Sequence, residues 1–357
     1  MIDEVKARCE LLAANSIAVR KKFFLEKDLM GIVSGLIFTS SGRKADTAKM
    51  KECRKILKRR TRLLSNLRAV VELALLSKMA LAEDPAQYFS DFMDVYKKVR
   101  KGKLLENDYM VLASLLILEL DRQEESTEIV KKAKVLFEKM NKDHPILTTS
   151  EDTSFVMFLA LTDKTVEAIM EDLREGYSYL NDTCKFSATG NAIYELCEVL
   201  AISYGDMTEK CDKVMRVFNA FKKRKAEYGK AQELSSLGAL IDLDLDTDSL
   251  VDEIIEAEAY LKTQNGFGDK IMEKTQRLMY AAIVVAGVCG RDTSAIGNAV
   301  ITNTLSIVKA KQISTMISII GSVAPSLISS FLGGEEEESE SAGEGEKTDD
   351  GTEENGK

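Results

Sequence analysis

The feature that most constrains the fold of this sequence is an internal repeat of about 40 residues. Five apolar blocks begin at Tyr109, Ser154, Tyr194, Leu234 and Met279, so successive starts are 45, 40, 40 and 45 residues apart. Within each block the fourth and seventh positions are apolar, which is the spacing of one helix face. The pattern therefore predicts one helix per block.

A second series of helices precedes these blocks, and each of its members ends near an aromatic residue. These aromatic residues are 41, 42, 42 and 39 positions apart: Tyr96, Phe137, Tyr179, Phe221 and Tyr260. A single helical hairpin cannot bury its apolar faces alone, so neighbouring hairpins must stack. We predict an all-α fold, an α-solenoid of about five to six helical hairpins, with the aromatic residues between successive hairpins.

The repeat pattern divides the chain into four segments. Residues 1–65 form an N-terminal helical section with a basic helix at 43–62, and residues 66–290 form the helical-hairpin repeat. Residues 291–334 are predicted to be apolar or amphipathic helices that cap the solenoid. Residues 335–357 contain no large apolar residue and are predicted to be a disordered acidic tail.

The net charge of −9 comes from this tail alone, which contains eleven acidic residues and two lysines. By contrast, residues 43–62 contain ten basic and two acidic residues, with an apolar stripe that predicts an amphipathic helix. Three interpretations of the basic face stay open: a solvated surface, a site for nucleic acid or lipid, and a dock for the acidic tail. No aromatic residue interrupts the run, so base stacking is not indicated. The candidate anion-binding residues are Arg54, Lys55, Lys58, Arg59, Arg60 and Arg62.

The uncharged segment 313–332 has helical apolar spacing, with serines on its opposite face and a proline at Pro325. Its length approaches that of a membrane span, but the seven Ser and Thr residues and the proline weaken that interpretation. Its polar face also lacks the Lys and Arg residues of interfacial helices. We expect it to cap the core rather than to bind a partner or contact a membrane.

His144 is the single histidine of the chain, and it precedes Pro145. A structural interpretation, in which the proline restricts a loop and Thr149 caps the next helix, accounts for the whole segment. The alternative is a binding loop formed by His144, Thr148, Thr149 and Asp152.

No motif for catalysis, a metal or a cofactor is present. The six cysteines contain no CxxC pair, and phosphate-binding and dinucleotide-binding glycine motifs are missing. The acidic residues from Asp242 to Asp248 with Glu253 have calcium-loop spacing, but Thr247 occupies the position that needs glycine. Asp246, Thr247 or Asp248 is more simply the N-cap of a helix that follows.

Three segments carry a resemblance to a known family. Residues 140–152 resemble its signature M-K-x-x-H-P-F-L-T-S-x-x-D, and residues 186–191 and 237–243 are similar to two further stretches, in the same order. The family is DUF4003, a group of uncharacterised Firmicute proteins, and the resemblance extends over roughly residues 5–290. Ile146 departs from the usual phenylalanine. The resemblance implies a bacterial cytosolic helical protein and brings no activity, cofactor or catalytic residue.

We therefore expect a cytoplasmic, non-catalytic interaction scaffold with a protein or peptide partner. Residues 1–10 show no secretory signal pattern, and dispersed cysteines suit a reducing compartment. The alternative function is an anion binder that uses the basic helix 43–62. A third hypothesis is an enzyme of unrecognised type that uses the His144 loop.

Overall fold

In the computed structural model every regular element among the described residues is a helix and no strand occurs among them, which confirms the all-α prediction. These residues are 1–24, 28–61, 67, 71–101, 108–144, 153–231, 233–241, 243 and 245–289. They belong to the first of two units, Met1–Ile317, whereas the second unit, Ser318–Lys357, lies outside the described residues. The predicted capping helices and the acidic tail therefore also lie outside them.

Two series of helices alternate along the chain. The first series is amphipathic: in α5, for example, the buried residues Phe89, Phe92, Tyr96 and Val99 repeat at helical spacing. Its members are α1 (Asp3–Lys22), α3 (Thr47–Arg60), α5 (Pro85–Lys101), α7 (Ser126–Asp143), α9 (Val166–Ser178), α11 (Met207–Lys223) and α12 (Thr247–Thr263). We call these the outer helices, because one face of each is exposed.

The second series is apolar around most of its circumference, which is typical of helices buried on every side. In the helix that begins at Glu72, eight of ten residues are buried. The members are α2 (Asp28–Ser40), α4 (Glu72–Leu81), α6 (Asp108–Glu119), α8 (Thr153–Leu161), α10 (Gly190–Leu200) and α13 (Lys274–Cys289). A 3-10 helix at Leu234–Ala239 occupies the corresponding place between α11 and α12. We call these the inner helices.

The helices contact one another in chain order, and the last pair also contacts the first. Outer helices α5, α7, α9, α11 and α12 follow one another, and inner helices α8, α10 and the 3-10 helix do the same. In addition, α1 packs against α12 and α13. Stacked hairpins are what the repeat predicts, but contact between the two ends is not a property of an open solenoid. The described helices thus form a closed row.

The repeated aromatic residues explain part of this stacking. The Tyr179 hydroxyl donates a hydrogen bond to Asp212 on the next outer helix, at 2.8 Å. The Tyr260 hydroxyl makes the equivalent bond to Glu10 on α1, at 2.6 Å. The same device therefore joins neighbouring outer helices and closes the row between α12 and α1.

Basic side chains cover the carboxyl ends of three inner helices. Arg43 and Lys49 donate to the carbonyls of Leu81 and Ala82 after α4, and Arg122 and Lys132 donate to those of Leu161 and Thr162 after α8. Lys164 and Lys210 do the same after α10. These carbonyls have no partner within their own helix, and the helix dipole favours a cation there. Six basic residues are thus committed to holding the fold.

Candidate functional site

The first candidate site is a cleft at the carboxyl end of α7. Its volume is about 500 Å³, and it is lined by Asp143, His144, Arg174, Tyr177, Ser178 and Asp182. Helix α7 ends at Asp143, and the backbone N–H of His144 donates to the Met140 carbonyl at 2.8 Å. The helix end therefore fixes the backbone of His144 at the mouth of the cleft.

Three aromatic rings meet beneath this cleft. The ring centroid of His144 lies 5.4 Å from that of Tyr177 and 5.2 Å from that of Tyr194, and the two tyrosines are 6.0 Å apart. Tyr194 is 1% exposed, whereas Tyr177 is partly buried at the surface. These tilted and edge-on arrangements are favourable for aromatic pairs.

Two carboxylates and one guanidinium stand around the rings. Arg174 Nε donates to Asp143 Oδ2 at 2.9 Å, so these two charges offset each other. Asp182 accepts from the Ser178 hydroxyl at 3.1 Å and from the Asn181 amide at 2.8 Å, and no basic residue of the described chain forms an ion pair with it. One net negative charge therefore remains at the cleft.

His144 lies in this cleft, whereas Thr148, Thr149 and Asp152, the other residues of the predicted binding loop, lie outside the described residues. Sequence reasoning missed Tyr177, Tyr194, Arg174 and Asp182. They come from α9, the turn after it and α10, so only the packing of hairpins brings them to His144.

The arrangement suits binding better than proton transfer. Within the described residues, His144 makes ring contacts with two tyrosines, and no hydrogen bond joins its side chain to a carboxylate or a hydroxyl. A general base or an activated nucleophile needs such a partner at hydrogen-bonding distance. The described part of the chain therefore shows no contact of His144 that supports the enzyme hypothesis.

Two cysteines meet at Gly176, below the same region. The Cys211 thiol is 4.0 Å from the Gly176 carbonyl oxygen, and a Cβ at Gly176 would approach Cys197 Sγ to 3.2 Å. Burial raises the pKa of Cys211 to about 12 and that of Cys197 well above its usual range, so both thiols are protonated. No group of three or more metal-ligating side chains occurs in the described ranges.

The calcium-like acidic segment is an N-cap. Asp246 Oδ1 accepts the Ser249 backbone N–H at 2.9 Å, and helix α12 begins at the next residue, Thr247. This confirms the capping interpretation for Asp246. Asp248 and Asp252 both form ion pairs with Arg224, and Asp242 lies outside the described residues.

The second candidate site is the surface formed by the end of α1 and the outer face of α3. Met50, Cys53 and Leu57 are the buried face of α3, and Asp46 caps its start by accepting the Lys49 backbone N–H. Five basic residues of α3 are exposed on the opposite face, as the amphipathic pattern predicts: Lys51, Lys55, Lys58, Arg59 and Arg60. The helix observed, Thr47–Arg60, is shorter at both ends than the predicted 43–62.

The predicted anion-binding residues have different surroundings. Arg54 donates to the carboxylate of Glu72 and lies over the Phe23 ring, with its guanidinium carbon 4.8 Å from the ring centroid. Lys55 pairs with Glu52 at 2.8 Å. Lys58, Arg59 and Arg60 are exposed, and Arg62 lies outside the described residues.

An additional cation, Lys22 at the end of α1, approaches Lys51 on α3. The charge of Lys22 lowers the pKa of Lys51, with desolvation and the charge of Arg54 adding to the effect. No carboxylate of the described chain forms an ion pair with either lysine. Sequence reasoning missed Lys22, because it is separated from α3 by a complete inner helix.

The described residues thus form an all-helical protein with two polar surfaces, the His144 cleft and the basic surface of α1 and α3. The chain belongs to the DUF4003 family: the family described as "Protein of unknown function (DUF4003)" matches residues 17–314. Neither a curated protein nor a solved structure matches the chain. A search of the described helices also finds none that is long and apolar enough to cross a membrane.

Proposed function

We propose that the protein is a non-catalytic interaction scaffold of the bacterial cytoplasm, and that its His144 cleft accepts a cationic side chain of a protein or peptide partner. The observation that carries this proposal is the cluster of His144, Tyr177 and Tyr194 under a cleft with a surplus carboxylate. Six free cysteines suit a reducing compartment and support the location.

The aromatic rings and the negative charge of the cleft favour a cationic side chain as its ligand. A lysine or arginine side chain could place its aliphatic part against the Tyr177 ring and its charge beside Asp182. Cation–π contacts contribute about 0.5–2 kcal/mol, and charge-assisted hydrogen bonds contribute more than neutral ones. A free volume of about 500 Å³ has room for one or two side chains rather than for a folded domain.

The test measures the affinity of two peptide libraries for the full chain by fluorescence anisotropy. The libraries differ at one central position, which is arginine in one library and norleucine in the other. We expect the arginine library to bind more tightly, and Tyr177→Ala and Asp182→Asn to weaken binding roughly ten-fold. Tyr177→Phe, which keeps the ring, should retain binding. Asp94→Asn, at an exposed carboxylate on α5, is the matched control for the charge change.

Equal affinity for the two libraries would contradict the proposal. So would arginine-dependent binding that survives both Tyr177→Ala and Asp182→Asn, because the site would then lie elsewhere.

A further inference from the structure

The surface at the end of α1 and the outer face of α3 combines unpaired cations with an exposed aromatic ring. Lys21 and Lys22 are exposed at the last turn of α1, and Phe24, two residues after Lys22, is 78% exposed. A single exposed apolar side chain is ordinary on a protein surface, so this ring is of interest only because it closely follows a group of lysines. The aromatic residue that the basic run itself lacks is thus supplied by the turn after α1.

The two residues before Phe24 lie against α3. Lys22 approaches Lys51, and the next residue, Phe23, is 4% exposed and packs under the guanidinium of Arg54. Lys51 and Arg54 are one helical turn apart. The end of α1 therefore crosses α3 at this turn, and Phe24 leaves the crossing at the protein surface.

The lysines on α3 form a line that leads away from the crossing. Lys51, Lys55 and Lys58 are all exposed and follow i, i+4, i+7 spacing, so they lie on one face over about 10 Å. Of these, Lys55 alone pairs with a described carboxylate, Glu52. A row of cations of this kind matches a chain of phosphates rather than a single anion.

We propose that Phe24, Lys22, Lys51 and Lys58 form a binding site for single-stranded nucleic acid, in which the lysines contact consecutive phosphates and a base stacks on Phe24. Single-strand sites combine a positive track for the backbone with aromatic rings for the bases. This surface is separate from the His144 cleft and does not depend on the function proposed for it.

The arrangement of apolar residues favours nucleic acid over a membrane surface. An interfacial helix inserts its apolar face into lipid. On α3, Met50, Cys53 and Leu57 are buried in the protein core and Ile56 is partly buried against it. Among the described residues, none of the exposed large apolar side chains comes from α3, so the helix offers no apolar face for insertion into lipid.

The experiment measures binding of the full chain to a labelled 20-nucleotide oligothymidylate and to an abasic oligonucleotide with the same backbone. At 50 mM KCl we expect binding to oligothymidylate, with affinity that falls steeply by 200 mM KCl. Phe24→Ala should weaken oligothymidylate binding about ten-fold and leave the abasic backbone unaffected. The double variant Lys22→Ser, Lys51→Ser should weaken binding to both and flatten the salt dependence.

Matched controls exist elsewhere on the chain. Tyr204, 70% exposed, tests the loss of an exposed ring through Tyr204→Ala, and the double variant Lys222→Ser, Lys223→Ser tests the same change of charge on α11. Neither control should alter binding.

Three results would overturn the proposal. They are absence of binding at 50 mM KCl, equal affinity for oligothymidylate and the abasic backbone, and binding to phosphatidylserine vesicles in preference to the oligonucleotide. The last result would assign the surface to a membrane.

Discussion

Two pairs of lysines come together in this protein, and their surroundings are opposite. After α10, Lys164 and Lys210 both donate to the Ser203 carbonyl oxygen, at 2.5 and 2.6 Å. Lys164 also pairs with Asp172 at 2.7 Å, and both lysines are buried. At the α1–α3 crossing, Lys22 and Lys51 approach each other on the exposed surface without a shared acceptor among the described residues.

The lysines of the buried pair hold the fold, whereas the lysines of the exposed pair are available to a ligand. A buried ammonium group is tolerated only where carbonyls and carboxylates replace its water. The pair at Ser203 meets this condition, and it covers the end of an inner helix in return. The pair at Lys22 and Lys51 is held together by the packing beneath it, so an external anion would relieve its repulsion.

The largest predicted effect concerns the buried pair. Lys210→Met should lower the free energy of unfolding by about 2–4 kcal/mol, because the carbonyls of Leu200 and Ser203 lose a charged donor in a buried place. Urea unfolding followed by circular dichroism measures the change. Lys222→Met, at an exposed position of α11, is the control and should have little effect.

If Lys210→Met unfolds at the same urea concentration as the parent, then the lysine pair after α10 does not stabilise the fold. The proposed difference between the buried and the exposed pair would then be wrong. Adding Lys164→Met should cost more than the sum of the two single changes, because either lysine alone still donates to the Ser203 carbonyl and only the double change removes both charged donors.

The second prediction concerns the acidic tail, whose carboxylates are candidate acceptors for the ammonium groups of Lys22 and Lys51. Residues 335–357 carry the entire net charge of −9 and would compete with a nucleic acid for the basic surface. Deleting them should therefore strengthen oligothymidylate binding several-fold at 50 mM KCl, with a smaller gain at 200 mM. Unchanged affinity after deletion would reject the tail as an occupant of this surface.

The smallest predicted effect concerns the pKa of Lys51. The charge of Lys22 is the main cause that lowers it, so Lys22→Ser should move the pKa of Lys51 upward, as NMR titration of labelled lysine side chains can measure. The pKa of Lys51 is lower in the folded state than in the unfolded state. The repulsion between Lys22 and Lys51 therefore persists at neutral pH and disappears as the pH rises through the lysine range.

The stability of the parent should therefore rise slightly relative to Lys22→Ser as the pH is raised toward that range. A pKa of Lys51 that is unaffected by Lys22→Ser would show that the two ammonium groups are not neighbours in solution.

Features governed by local sequence were predictable. The apolar spacing indicates the helices, the 40-residue period indicates their pairing, and Asp246 is one of three candidate caps for α12, since each feature depends on residues close together in the chain. The aromatic residues were expected between hairpins, and the hydrogen bonds of Tyr179 and Tyr260 to the next outer helix agree with this for those two.

Features that depend on distant residues were not predictable. Nothing in the sequence near Arg54 indicates that Glu72 neutralises it, nor that Lys22 and Phe24 lie beside its helix. The rings around His144 come from two later helices. Contact between α1 and α12 joins residues about 250 positions apart, and the repeat alone is equally compatible with separate ends.

The contact between the two ends has a consequence for the order in which this protein folds during synthesis. Helix α1 is made before two of the helices that cover it, α12 and α13, which follow more than 220 residues later. Hairpins between them can assemble locally as they emerge, since their contacts are close in sequence. The apolar face of α1 that meets α12 and α13 must remain uncovered until those helices have been made, so chaperone binding to the nascent chain should concentrate on α1.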